Sequence, residues 1–172
     1  MTTLSPLESR SLSTGLAQRT LKNLDFIKQA FACGEDVHLI TQTVNSLLGL
    51  LVFPVEREAQ FFRPLQSVSL DPPEKIQALH KSLPGFPPLP SLVLTRFEDC
   101  GNLGRFLKRL RNAIAHRRLD FSNDSRDLDE VLITMRDGLG QGGLAAWEII
   151  ISAADLEKLS RYIASSVIEN NV

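Results

Sequence analysis

Two cysteines, one tryptophan, one tyrosine and three histidines among 172 residues leave little room for several kinds of chemistry. Cys33 and Cys100 form no CxxC pair and lack the histidine or cysteine neighbours of a zinc site. They read as reduced, packing thiols of a cytoplasmic protein, with neither disulfide nor metal. No stretch reaches the roughly 18 apolar residues of a spanning helix. Met1 to Ser13 also lacks the basic start and apolar run of a leader, so no membrane role is expected. HExxH and the nucleophile elbow are missing, and no Lys-Ser or Lys-Thr follows the glycines at 138–143, which read as a turn. No cofactor is expected. A net charge of -1 excludes a generally basic surface that binds phosphates indiscriminately.

What the chain does have is helical periodicity. Residues 1–13 are expected to be a flexible lead and 14–172 a single domain with no internal repeat. From Thr14 to Phe31, Ala17, Leu21, Leu24, Ile27 and Phe31 recur three and four apart, and Gly34 follows as a stop. A second helix opens after Glu35-Asp36, with Asp36 as cap candidate. Its stripe is Val37, Ile40, Val44, Leu47 and Leu51, widened by Leu48 and Leu50, and Pro54 ends or kinks it.

Seven prolines between Gln60 and Pro90 predict a connection over about 60–97 that crosses the surface. One short helix interrupts it after Asp71-Pro72-Pro73-Glu74, with Ile76, Leu79 and Leu83 on one face, serving as packing or a lid. His38 and His80 lie beside apolar positions, have no metal-ligand neighbours and read as structural.

Asn102 or Asp99 can cap the next helix, striped by Leu103, Leu107, Leu110 and Ile114 with Phe106 beside them, which ends near His116 to Arg118. Leu119 to Phe121, Val131 to Met135 and Ala145 to Ile151 then read as three strands, the last two joined as a hairpin through Asp137 to Gly143. This β insert spans 119–151. Ser152 caps a last helix with Asp155 in a loose capping box and Leu156, Leu159, Ile163 and Val167 buried. The fold class is mainly α: a helical bundle with a small antiparallel sheet before its final helix.

Charge is concentrated near the end of the fourth of these helices. Arg105, Lys108, Arg109, Arg111, Arg117 and Arg118 lie within fourteen residues that hold no acid. Inside the cluster stands Arg111-Asn112-Ala113-Ile114-Ala115-His116. An arginine can hold a phosphate through its planar fork, and an imidazole can move a proton near neutral pH. On a helix, Asn112 and His116 are neighbours at i and i+4. Chance supplies such a spacing about once in a chain of this composition. The cations could instead complement the negative end of the helix dipole or form a solvated face.

Arg111-Asn112, three residues and His116 resemble the signature of HEPN domains, the higher eukaryote and prokaryote nucleotide-binding family of helical bundles. The order of elements after the motif, including Trp147 and Ser152-Ala153-Ala154-Asp155-Leu156, is similar to the plasmid-borne p136-like branch. So is the stretch from Val44 to Arg57. Many relatives carry glycine after the histidine, where this chain has Arg117-Arg118, a stiffer and more basic helix exit. The resemblance implies a toxin- or defence-like endoribonuclease without metal, which leaves a 2',3'-cyclic phosphate. It makes Arg111, Asn112 and His116 catalytic, with Arg105, Lys108, Arg109, Arg117 and Arg118 binding RNA. Glu56-Arg57 would approach the cleft or form a helix-end ion pair. It further implies a homodimer with the motif at the interface, and a cognate antitoxin or defence protein as a partner. A non-catalytic dimeric module that binds RNA, a nucleotide or a protein through the same cleft is the alternative, and a structural helical adaptor a third.

Overall fold

The computed structural model describes residues 6–56, 62–98, 100–138 and 144–169. Among these, six α-helices and one four-stranded antiparallel sheet follow in the order α1 (Pro6–Ala32), α2 (Leu39–Glu56), α3 (Phe62–Ser67), α4 (Lys75–Ala78), β1 (Val93–Phe97), α5 (Leu103–Ala115), β2 (Leu119–Phe121), β3 (Leu132–Asp137), β4 (Trp147–Ser152) and α6 (Ala153–Glu169). The helical class is that read from the periodicity. Arg57, Asp99 and residues 139–143 of the hairpin turn lie outside the described residues.

Helices α1, α2 and α6 pack on one another, and α5 is inserted between α2 and β3. Every side chain of the α5 stripe is buried: Leu103, Phe106, Leu107, Leu110, Ala113 and Ile114. On the sheet side, Phe106 meets Trp147 edge-on at 5.8 Å between ring centres and Phe97 at 6.2 Å. Such rings contribute large buried areas and a directional contact, so they fix how α5 lies on the strands.

Ions join the first helix to the last. Glu157 of α6 is buried and accepts from Lys28 of α1 at 3.1 Å and from Arg161 at 2.8 Å. Arg161 reaches on to Asp25 at 2.6 Å. A buried carboxylate persists only when paired in this way.

Several local expectations need correction. α1 is already helical at Pro6, its first described residue and eight residues before Thr14. The expected lead is therefore helical from there on. α2 begins at Leu39, and Asp36 pairs with Arg126 instead of capping it. The helix passes through Pro54 to Glu56, its last described residue. Asp71 caps nothing: Glu74 precedes α4, which gives way after four residues to a 3-10 turn at Leu79–Lys81.

The proline-rich connection is not a surface crossing. It buries Leu65, Leu70, Ile76, Leu79, Phe86, Leu89 and Leu92, and it supplies α3 and the edge strand β1, both missed from the sequence. The sheet thus has four strands where three were expected, in the order β1-β4-β3-β2. β1 carries only five residues next to a run of prolines, and its alternation is broken by a bulge between Leu94 and Arg96. Of the two thiols, Cys100 is buried and Cys33 is exposed after α1. Both remaining histidines are exposed: His38 precedes α2, and His80 bonds the Gln77 carbonyl at 2.9 Å.

Ser91 pins this connection to the start of α6. Its amide and hydroxyl donate to Asp155 at 2.9 and 2.6 Å, while its oxygen accepts the Ser152 amide at 2.9 Å. Ser152 caps as expected, its oxygen accepting the Asp155 amide at 3.1 Å. The capping box is only half formed, because the Asp155 carboxylate turns to Ser91 and to Lys158 at 2.8 Å. Burial opposes ionisation of Asp155, but these donors outweigh it and hold the carboxyl below the ordinary aspartate range.

Candidate functional site

The charged end of α5 is shaped first by its backbone. Asn102 caps the helix, its side-chain oxygen accepting the Arg105 amide at 2.9 Å. At the other end His116 is the C-terminal cap, and the chain leaves through a Schellman turn. The Arg117 amide bonds Ile114 O at 3.0 Å and the Arg118 amide bonds Ala113 O at 2.8 Å. Arg117 occupies the left-handed position with φ 55°. The same turn closes α1, where glycine fills the position: Gly34 has φ 83°. Arg118 then leads into β2, its carbonyl accepting the Arg136 amide at 2.9 Å.

Residues 105, 108, 109, 112 and 116 recur three and four apart and so share the face of α5 opposite its apolar stripe. Arg105, Lys108, Arg109 and Asn112 line an open groove of about 360 Å³ there. His116 is exposed at the end of the same row, and its imidazole makes no hydrogen bond among the described residues. Arg111 leaves the helix about 100° from Asn112, on the flank of this face. It is half-buried, with its Nε out of reach of solvent.

The residue missed from the sequence is Asp137. Its carboxylate is 5% exposed and collects three donors: Arg109 Nη1 at 3.1 Å and Asn112 Nδ2 at 3.0 Å on Oδ2, and Arg118 Nη1 at 3.2 Å on Oδ1. Charge-assisted bonds of this kind contribute about 1.5–3 kcal/mol each where they are shielded. Arg109 is 22% exposed and its bond counts in that range; Arg118 is 48% exposed and counts for less. Gly138 makes room for the arrangement. Its φ is +72°, and a Cβ there would lie 2.6 Å from Arg109 Nη1.

The structure therefore brings Arg109, Asn112 and Arg118 together on Asp137, but it does not bring Asn112 to His116 or Arg111 onto the groove face. A signal for Asp137 was present. Ile133, Met135 and Asp137 continue one alternation, so the carboxylate falls on the buried side of β3, facing the helix that carries the arginines.

A family profile described as HEPN pEK499 p136 matches residues 1–172. The chain belongs to this family. Neither a curated protein nor a solved structure matches it. Arg111 to His116 sit at the end of α5, where the periodicity placed them, on a basic face with Asp137 as a buried counter-charge. Among the described residues of this HEPN chain no group of three or more His, Cys, Asp or Glu side chains could hold a metal ion, and no helix is long and apolar enough to cross a membrane.

Proposed function

We propose that this HEPN chain is an endoribonuclease that works without metal at a site shared by two copies. The observation that supports it most is the exposed imidazole of His116 at the end of a row of cations. A phosphodiester laid along Arg105, Lys108 and Arg109 reaches that imidazole. The ribose 2'-oxygen attacks the neighbouring phosphorus, its proton passes to one His116, and the bond to the 5'-oxygen breaks as a second His116 protonates it. The products are a 2',3'-cyclic phosphate and a 5'-hydroxyl. Charge that builds on the phosphate oxygens is met by Arg111, whose fork acts best in a preorganised position. Because Arg111 stands on the flank of its own helix, each His116 takes the arginine of the other copy. Two such faces opposed would also double the cations along the cleft, which offsets the near-zero charge of the chain.

RNA cleavage by the purified protein in EDTA, with wild type beside His116→Ala and Arg111→Ala, tests this. Loss of the cyclic-phosphate product in both variants is expected, and activity that survives both overturns the mechanism. Growth arrest on expression, relieved by His116→Ala, would extend it to a toxin-like role and justify a search for a neutralising partner protein.

A non-catalytic RNA-binding dimer has one observation on its side: Asn112 is tied to Asp137 and gives no support to His116. Binding with a steep salt dependence but no cleavage would favour it.

A further inference from the structure

An ionised carboxylate is an acceptor only, so every group that reaches Asp137 must arrive as a donor. Asn112 accordingly turns Nδ2 to it. The amide is held that way round, because Arg109 shares the same oxygen, Arg118 takes the other, and β3 is paired on both sides. The other end of the amide, Oδ1, takes no hydrogen bond among the described residues, and Asn112 is one of the four side chains that line the groove. Its companions Arg105, Lys108 and Arg109 can only donate.

We propose that Asn112, locked by Asp137, is the groove's hydrogen-bond acceptor and receives a ribose hydroxyl, so that the groove takes RNA in preference to DNA. The cations cannot make that distinction, since both polymers offer them the same phosphates. The 2'-hydroxyl is the backbone donor that differs. Phosphate oxygens, being acceptors, are turned away from Oδ1 and toward the cations, which sets the strand's position along α5. Asp137 touches no substrate; it is a positioning residue that acts through Asn112. The inference rests on the groove being an RNA site and does not require cleavage.

The test compares oligouridylate with oligodeoxyuridylate of equal length, so that the bases are identical, binding to His116→Ala protein in EDTA by fluorescence anisotropy. RNA is expected to bind at least about fivefold tighter, the worth of one hydrogen bond. Adding Asn112→Leu should bring the ratio near one while overall affinity persists through the cations. Adding Asp137→Asn should do the same, because a side-chain amide can donate as well as accept and lets Asn112 turn over. Asn112→Leu leaves Asp137 with both arginines, so it decides the matter if Asp137→Asn does not fold, which a urea midpoint reveals. Equal affinities before either substitution, or an RNA preference that survives Asn112→Leu, overturn the proposal. Binding of neither polymer overturns it together with the proposed function. Equal binding with RNA cleavage by wild type removes this proposal alone.

Discussion

Asn112 stands one turn before His116 on the same face of α5, yet its amide donates to Asp137, 25 residues further along the chain, and not to the imidazole. The polar residue of the motif thus belongs to the contact between helix and sheet. What reaches His116 is left to solvent, to a substrate or to a second copy.

The row of cations gives a prediction about salt. Arg105→Ala and Lys108→Ala should each weaken RNA binding and lower the slope of log affinity against log salt by about 0.7, the share of one phosphate contact on a single strand. Titrations at several salt concentrations check it. Arg136, whose side chain lies on the opposite face of the sheet with Glu148 and Asp120, is the control and should leave the slope unchanged when replaced.

Arg117→Gly should separate stability from binding. Glycine relieves the left-handed strain at φ 55°, and net of its greater freedom when unfolded the gain is about 0.5–1 kcal/mol. A rise in the urea midpoint together with weaker RNA binding is expected. A fall in the midpoint would show that the turn does not tolerate the exchange as read.

Gly138→Ala should do the reverse. The new methyl meets Arg109 at 2.6 Å and sits at φ +72°, so a loss of about 2 kcal/mol or more is expected, together with weakening of the Arg109–Asp137 pair. Denaturation of Gly138→Ala, of Arg109→Ala and of the double variant checks this. The two losses should be less than additive, because each removes the same pair.

Acid should act through Asp155. Its folded pKa lies below the unfolded value, so its contribution is complete above the ordinary aspartate range and is lost as pH falls through the lowered folded value. Asp155→Asn should therefore be less stable than wild type by about 1–2 kcal/mol at pH 7, with the gap narrowing below about pH 4. A constant gap down to pH 2 would exclude ionisation as its source.

Much of this was legible before the fold. The stripes of α1, α5 and α6, the Asn102 and Ser152 caps and the Gly34 stop follow from local spacing and backbone preference, which a short window of sequence contains. Asn102 is the cap that the alternatives Asn102 and Asp99 left open. The position of the motif at the end of α5 followed as well. What was not legible depends on partners distant in the chain. β1 exists because β4, more than fifty residues later, pairs with it, and Ser91 matters because Asp155 waits for it. Asp36 reads as a cap until Arg126 is seen beside it. Asp137 is the middle case: alternation placed it on the inner face, but only the packing of α5 on β3 shows which cations answer it.

β4 has a consequence for when the site comes into being. It is the strand that joins β1 to β3, and it is translated after every residue of the motif and after Asp137. A growing chain halted before Trp147 would carry all the groove's charges, yet within the sheet β3 would be paired only with the three residues of β2. Asp137, which pairs with Trp147, would then stand at a strand end without that neighbour. The sheet beneath the groove is therefore complete only once Ser152 has been made.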